Sequence, residues 1–165
     1  ETDIIDCIMS LKKTNKSLII SYDPKKGHEL KIKGIDIGTP NLSEAESIVD
    51  KRPLKQTPLS IEYIGKSLRR KWDAKSVFLT LGEKGAALFE KGKKTFYIPT
   101  VAKEVYDVSG AGDTVIAVST ALLASGASPK EAATIANIAA GIVVEKLGTQ
   151  TASQKEIIER IKQIR

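Results

Sequence analysis

Cysteine, histidine, tryptophan and methionine each occur once among these 165 residues. A single cysteine, Cys7, has no partner for a disulfide within the chain, which suits a reducing setting such as the cytoplasm. A single histidine, His28, leaves no convincing Ser-His-Asp set and no Cys/His cluster for zinc. Aromatic residues are only 5 % of the chain, and the lysines behind its net charge of +6 are scattered rather than striped. With no stacking platform and no basic stripe, the composition argues against nucleic acid as the partner. No charge-free apolar run approaches the 18 residues of a membrane span, and no basic-then-apolar leader marks a secretory signal. No G-x-x-x-x-G-K-[ST] sequence occurs, which removes the Walker P-loop. Gly110-x-Gly112 is followed by Val115 where a dinucleotide fingerprint wants Gly or Ala, which weakens that reading too.

What remains is a chain with 41 % hydrophobic and 28 % charged residues, one domain's worth of sequence able to bury a sizeable core. Asp3–Thr14 reads as a helix ending in lysines. Ser17–Tyr22 reads as a short buried strand closed by Asp23-Pro24 and the basic Lys25-Lys26-Gly27-His28. Ile35–Thr39 alternates as a second strand. Ser43 and Glu46 form a capping box for a helix to about Asp50, and Lys51–Pro58 reads as a loop. Leu59–Trp72 is helical, Val77–Leu81 a buried strand, and Ala86–Phe89 with Thr95–Ile98 an antiparallel pair turning near Gly92. A helix follows Asp113 and ends at Gly126, Ser128-Pro129-x-Glu131 opens a buried one, and Ser153-x-x-Glu156 caps a last amphipathic one. Strands alternating with helices predict a mainly parallel sheet wrapped by helices, with ligands beyond the carboxyl ends of its strands. Asp23, Asn41, Leu81-Gly82 and Gly110–Asp113 all follow predicted strands, so they are expected at one rim.

The most informative stretch is Asp107-Val108-Ser109-Gly110-Ala111-Gly112-Asp113, between an extended run, Lys103–Val108, and an apolar helical pattern. Two glycines in a first helical turn cost about 1 kcal/mol each against alanine. They make sense as an anion cradle, because small residues bare the N–H groups where the helix dipole is positive. Asp113 would repel a bound phosphate unless it takes a proton from a hydroxyl attacking that phosphate. A first-turn Asp that simply favours the helix is the plainer alternative.

These residues resemble the carboxyl-terminal signature of the ribokinase/PfkB sugar kinases. Asp23-Pro24-Lys25, Thr39-Pro40-Asn41-Leu42-Ser43-Glu44 and Thr80-Leu81-Gly82-Glu83-Lys84-Gly85 fall in the order of that family's heptose 7-phosphate kinase branch. The resemblance covers nearly the whole chain, which corresponds to the carboxyl-terminal portion of a kinase domain. It implies a ribokinase-like three-layer α/β sandwich with a mainly parallel sheet plus a β-hairpin. It further implies that the family's amino-terminal half, with its lid and most sugar contacts, lies outside these residues. It also implies roles. Gly110, Ala111 and Gly112 would be the anion hole and Asp113 the catalytic base. Asn41 and Glu44 would organise Mg2+, through water, and the nucleotide phosphates. Thr80, Gly82 and Gly85 would lie along ATP, and Asn137 near its adenine. Asp107 would help hold a monovalent cation such as K+. Plainer readings stand beside these: a helix cap for Asn41 and Glu44, an ordinary turn at Thr80–Gly85, a satisfied core amide for Asn137, a loop cap for Asp107. The implied partners are ATP, a phosphorylated sugar, and either the missing half or a second copy. A nucleotide-binding module without turnover, or a PfkB kinase for another sugar, would share these motifs.

Overall fold

The computed structural model describes residues 2–49, 57–102 and 104–164. The predicted loop at 51–56, together with Asp50 and Lys103, lies outside the described residues. The elements run α1 (Thr2–Thr14), β1 (Ser21–Tyr22), β2 (Ile37–Gly38), α2 (Leu42–Val49), α3 (Pro58–Lys71), β3 (Ser76–Thr80), β4 (Ala86–Glu90), β5 (Phe96–Ile98), α4 (Ala111–Ala124), α5 (Pro129–Val144) and α6 (Gln154–Ile164). They build one sheet in the order β1-β2-β3-β4-β5. Strands β1, β2 and β3 run parallel, and β4 and β5 return antiparallel as the expected hairpin.

The strand period of two divides the sheet's side chains between two cores. Val77, Leu79, Ala87 and Phe89 face Ile61, Ile64, Leu68 and Trp72, the helices α2 and α3 covering this side. Phe78, Ala86 and Leu88 face Val115, Ala133 and Ala136 of α4 and α5. The result is the predicted three-layer sandwich. The predicted caps of α5 and α6 form as expected: Ser128 with Glu131, and Ser153 with Glu156.

Three expectations need correction. The strand expected over Ile35–Thr39 narrows to Ile37–Gly38, and that over Ser17–Tyr22 to Ser21–Tyr22. The backbone before it is held by side chains instead of a ladder: Asp36 Oδ2 accepts the Ile20 N–H at 2.8 Å, and Lys12 Nζ donates to the Leu18 carbonyl at 2.6 Å. The capping box of α2 is Asn41 with Glu44, not Ser43 with Glu46. Glu44 N–H donates to Asn41 Oδ1 at 2.9 Å, and Asn41 N–H to Glu44 Oε2 at 2.8 Å. The extended run before Gly110 forms no strand. The Tyr106 and Asp107 N–H groups both donate to the Val144 carbonyl at the end of α5, at 2.8 and 3.3 Å. Those donors are thereby unavailable to a ladder, and the segment crosses the helix end instead of joining the sheet.

Candidate active site

Because β1, β2 and β3 are parallel, the residues after each emerge at one rim. Asp23 follows β1, Asn41 follows β2 and bridges Thr80, and Gly82 follows β3. The glycine loop reaches the same place by another route, since its lead-in is not a strand. Gly110 is the N-cap of α4 with φ +81°, a left-handed conformation that a side chain would strain. Its carbonyl accepts the Thr114 N–H and hydroxyl, each at 2.9 Å, which closes the first turn. Ala111 N–H donates back to the Val108 carbonyl at 3.2 Å. Gly112 and Asp113 therefore carry the first-turn N–H groups best placed for an external anion. A methyl group built on Gly112 would meet nothing within 4 Å, and the same holds for Gly82.

A cleft of about 290 Å³ lies between this helix start, the β3–β4 turn and α5. Thr80, Gly82, Gly85, Ala111, Gly112 and Asn137 all line it, among Val105, Val108, Val115 and Val144. Mostly apolar walls with a few convergent polar groups are the ordinary makeup of a small-molecule site. Two of these residues also answer their plainer readings. Gly85, at φ +83°, is required by packing: a Cβ there would stand 2.0 Å from the Ile98 carbonyl oxygen. Asn137 is half-buried rather than buried, and its Nδ2 donates to the Pro99 carbonyl at 2.9 Å.

Asn41, Glu44, Asp107, Gly110 and Asp113 are not in the lining. Asn41 bridges Thr80, a lining residue, and Asn41 and Glu44 spend part of their bonding capacity on each other. Asp113 is exposed one residue beyond Gly112. Asp107 is not at a strand end. Its Oδ1 accepts the Ser109 N–H at 2.8 Å, and this contact, with help from the Ser109 side chain and the Gly148 backbone, holds its carboxyl below the usual range. That contact makes Asp107 a loop cap, the plainer of its two readings. Among the described residues no three of His, Cys, Asp and Glu cluster to hold a metal. Magnesium nevertheless needs only one or two carboxylates plus water and phosphate oxygens. Glu44, with Oε2 engaged by Asn41, fits such a water-mediated share.

Sequence reasoning gave no role to Lys25. Its ammonium bonds Asp23 Oδ2 at 2.6 Å, while Asp23 Oδ1 accepts the hydroxyl of buried Thr39 at 3.2 Å. The bond to Asp23 raises the Lys25 pKa above its ordinary value, and the negative charges of Glu44 and Asp113 add to this. The signal in the sequence is a lysine three residues past a strand end. Gly141 was missed as well: it lines the cleft, and a Cβ there would stand 2.8 Å from Val101 Cγ2.

A profile of the pfkB family carbohydrate kinases matches residues 2–156. The bifunctional protein HldE of Vibrio cholerae is 43 % identical over 142 residues, which are 86 % of this chain and 29 % of that protein. The structure of Arabidopsis thaliana ribokinase complexed with ribose and ATP superposes with a TM-score of 0.77 at 26 % identity, covering 96 % of this chain and 51 % of that one. The phosphofructokinase-2 of Escherichia coli in complex with substrates and products superposes with a TM-score of 0.83 at 21 % identity, covering 99 % and 53 %. The chain thus spans less than a third of the curated relative and about half of each solved structure. Among the described residues no helix is long and apolar enough to cross a membrane.

Proposed function

The chain belongs to the pfkB family of carbohydrate kinases, and from that premise we propose that it forms the nucleotide-binding and phosphoryl-transfer half of an ATP-dependent sugar kinase. The observation that carries this reading is the convergence of Thr80, Gly82, Ala111, Gly112 and Asn137 on one cleft, at the helix start that presents Asp113. Adenine would lie toward Asn137 and the apolar wall, and the phosphates toward the Gly112 and Asp113 N–H groups. Those donors are fixed before the reaction, so they stabilise charge on the transferred group without reorganising.

In the reaction, an acceptor hydroxyl gives its proton to the Asp113 carboxylate as its oxygen bonds the γ-phosphorus. The bond from that phosphorus to the β–γ bridging oxygen breaks, and ADP leaves with the electron pair. Glu44, and Asn41 through its grip on Glu44, would share in holding Mg2+ and the phosphates. When bound, Mg2+ supplies neutralisation of phosphate charge. The resemblance of the motifs to the family's heptose 7-phosphate kinase branch favours the anomeric hydroxyl of D-glycero-D-manno-heptose 7-phosphate as the acceptor. The grip on that sugar would come from the family's amino-terminal half or from a second copy, in a cytoplasmic setting.

The test is radiolabelled phosphoryl transfer from ATP to heptose 7-phosphate, with the chain alone and with the sugar-gripping half of a relative added. Turnover is expected only with both halves, because positioning of the attacking oxygen is worth about 7–11 kcal/mol. With both present, Asp113→Asn is expected to lower kcat by about 10²–10⁴-fold and leave ATP affinity nearly unchanged. A mutant retaining a third of the kcat removes Asp113 from the role of base. A second reading, a nucleotide-binding module without turnover, is favoured by the exposure of Asp113. It predicts MgATP binding but no transfer under either condition.

A further inference from the structure

We propose that Lys25 is a phosphate-binding residue of the nucleotide site, released from Asp23 onto the terminal phosphates when the nucleotide enters. This rests on the nucleotide reading above and adds to it a cation carried by the loop after β1.

The loop is built to present that cation. Lys25 and His28 form an isolated antiparallel bridge, with the His28 N–H donating to the Lys25 carbonyl at 2.9 Å. The turn is closed by Gly27 at φ +80°. Lys25 therefore has a fixed backbone beside the carboxyl end of β1, with only its four-carbon stem free to move. Its tether is asymmetric. The Asp23 side chain is 13 % exposed and anchored to Thr39, while the Lys25 side chain is 62 % exposed. Such an ion pair at the surface is weak. Exchanging one carboxylate for a phosphate oxygen is therefore cheap, and the new bond is a charge-assisted one.

The charges at this rim require such a cation. Asp23, Glu44 and Asp113 bring three carboxylates to a place meant to receive a polyanion, and the attraction of the latter two is felt at the Lys25 ammonium. Main-chain N–H groups at a helix start carry only about half a positive charge between them. Without Lys25, an entering triphosphate would face three like charges with only its own counter-ion for relief. Lysine suits the task, being a point charge with three rotatable donors that can follow a phosphate as it moves.

The test is calorimetry of the full chain with MgATP and, separately, with adenosine, at two salt concentrations, for wild type, Lys25→Met and Lys25→Arg. Lys25→Met is expected to weaken MgATP binding about tenfold or more, the worth of a hydrogen bond to a charged group. It is expected to flatten the salt dependence and leave adenosine affinity and the thermal midpoint unchanged. Lys25→Arg is expected to recover most of the loss. Wild-type MgATP affinity in Lys25→Met overturns the proposal while leaving the nucleotide reading intact. Equal losses for MgATP and adenosine reduce Lys25 to a structural part and also overturn it. Failure of the wild-type chain to bind MgATP at all overturns the nucleotide reading, and Lys25 with it.

Discussion

Glycine does opposite work on the two sides of this molecule. Beneath the sheet, a methyl group on Gly65 would stand 2.2 Å from the Phe89 ring, and one on Gly38 would stand 2.6 Å from Trp72. These glycines exist because large rings fill the space against them. At the rim, the same methyl on Gly82 or Gly112 would meet nothing. The acids divide in the same way. Asp36 is 4 % exposed: the Ile20 N–H and Lys12 bond one oxygen, and Lys75 Nζ forms an ion pair with the other at 2.8 Å. Asp113 is exposed. At Gly38, Gly65 and Asp36 the neighbours close in and the residue serves the fold, whereas Gly82, Gly112 and Asp113 face open space at the rim.

The sharpest test of the closed side is Asp36→Ala. Removing a buried carboxylate strands Lys12 and the Ile20 N–H, and should cost about 3 kcal/mol of stability by denaturant unfolding. Burial alone would raise the Asp36 pKa, but the Ile20 N–H, Lys12 and Lys75 outweigh it and hold the carboxyl below its ordinary value of 3.8. The stability it confers is therefore present above that pH and lost as pH falls below it. A wild-type chain as stable at pH 2 as at pH 6, or an alanine variant within 1 kcal/mol of wild type, would break the comparison at this acid.

Gly65→Ala should cost about 2 kcal/mol, since the Phe89 ring must leave its place in a packed core. The same change at Gly112 should do the reverse. It removes a helix glycine and should stabilise the fold by about 0.5 kcal/mol, while MgATP binding measured calorimetrically should be lost as the methyl blocks the amide cradle. If both alanines destabilise alike, the two classes of glycine are not distinct.

The smallest effect lies at α6, away from both regions. Lys146 first, then the Ser153 hydroxyl and N–H, lower the Glu156 pKa from 4.5 to about 2. Its contribution is fully present above about pH 4.5 and disappears as pH falls toward 2. Carbon-detected NMR of the Glu156 carboxyl should show the low midpoint, and Lys146→Met should move it upward. A midpoint near 4.5 in wild type would mean that this cap does not hold in solution.

Much of this division was readable in the sequence where local rules act alone. The hairpin of β4 and β5, the cap of α5 and the closed helix faces follow from period and from residues within four positions of one another. The errors arose where a distant group competed. Asn41 and Glu44 satisfy the same capping pattern as Ser43 and Glu46, and only the strand's exit point decides which pair meets the helix start. The run before Gly110 has strand composition, but the Val144 carbonyl, nearly forty residues on, takes its N–H groups. The position of Lys25 past a strand end was readable, but the anchoring of its partner Asp23 by Thr39, just past the neighbouring strand, was not. At the site, the residue types were legible because glycine in a helix start is costly. That Gly85 is closed while Gly82 is open was not, because both lie in one turn and differ only in what the β5 exit places above them.

The most direct test of the open rim as a nucleotide site is an amide-resolved NMR titration of the chain with MgATP. The account predicts saturable shifts at Thr80, Gly82, Gly112, Asp113 and Asn137, with the amides of Gly38 and Gly65 unmoved. Shifts confined to the lysine-rich surface away from the cleft, or no saturable shift at millimolar MgATP, would contradict it.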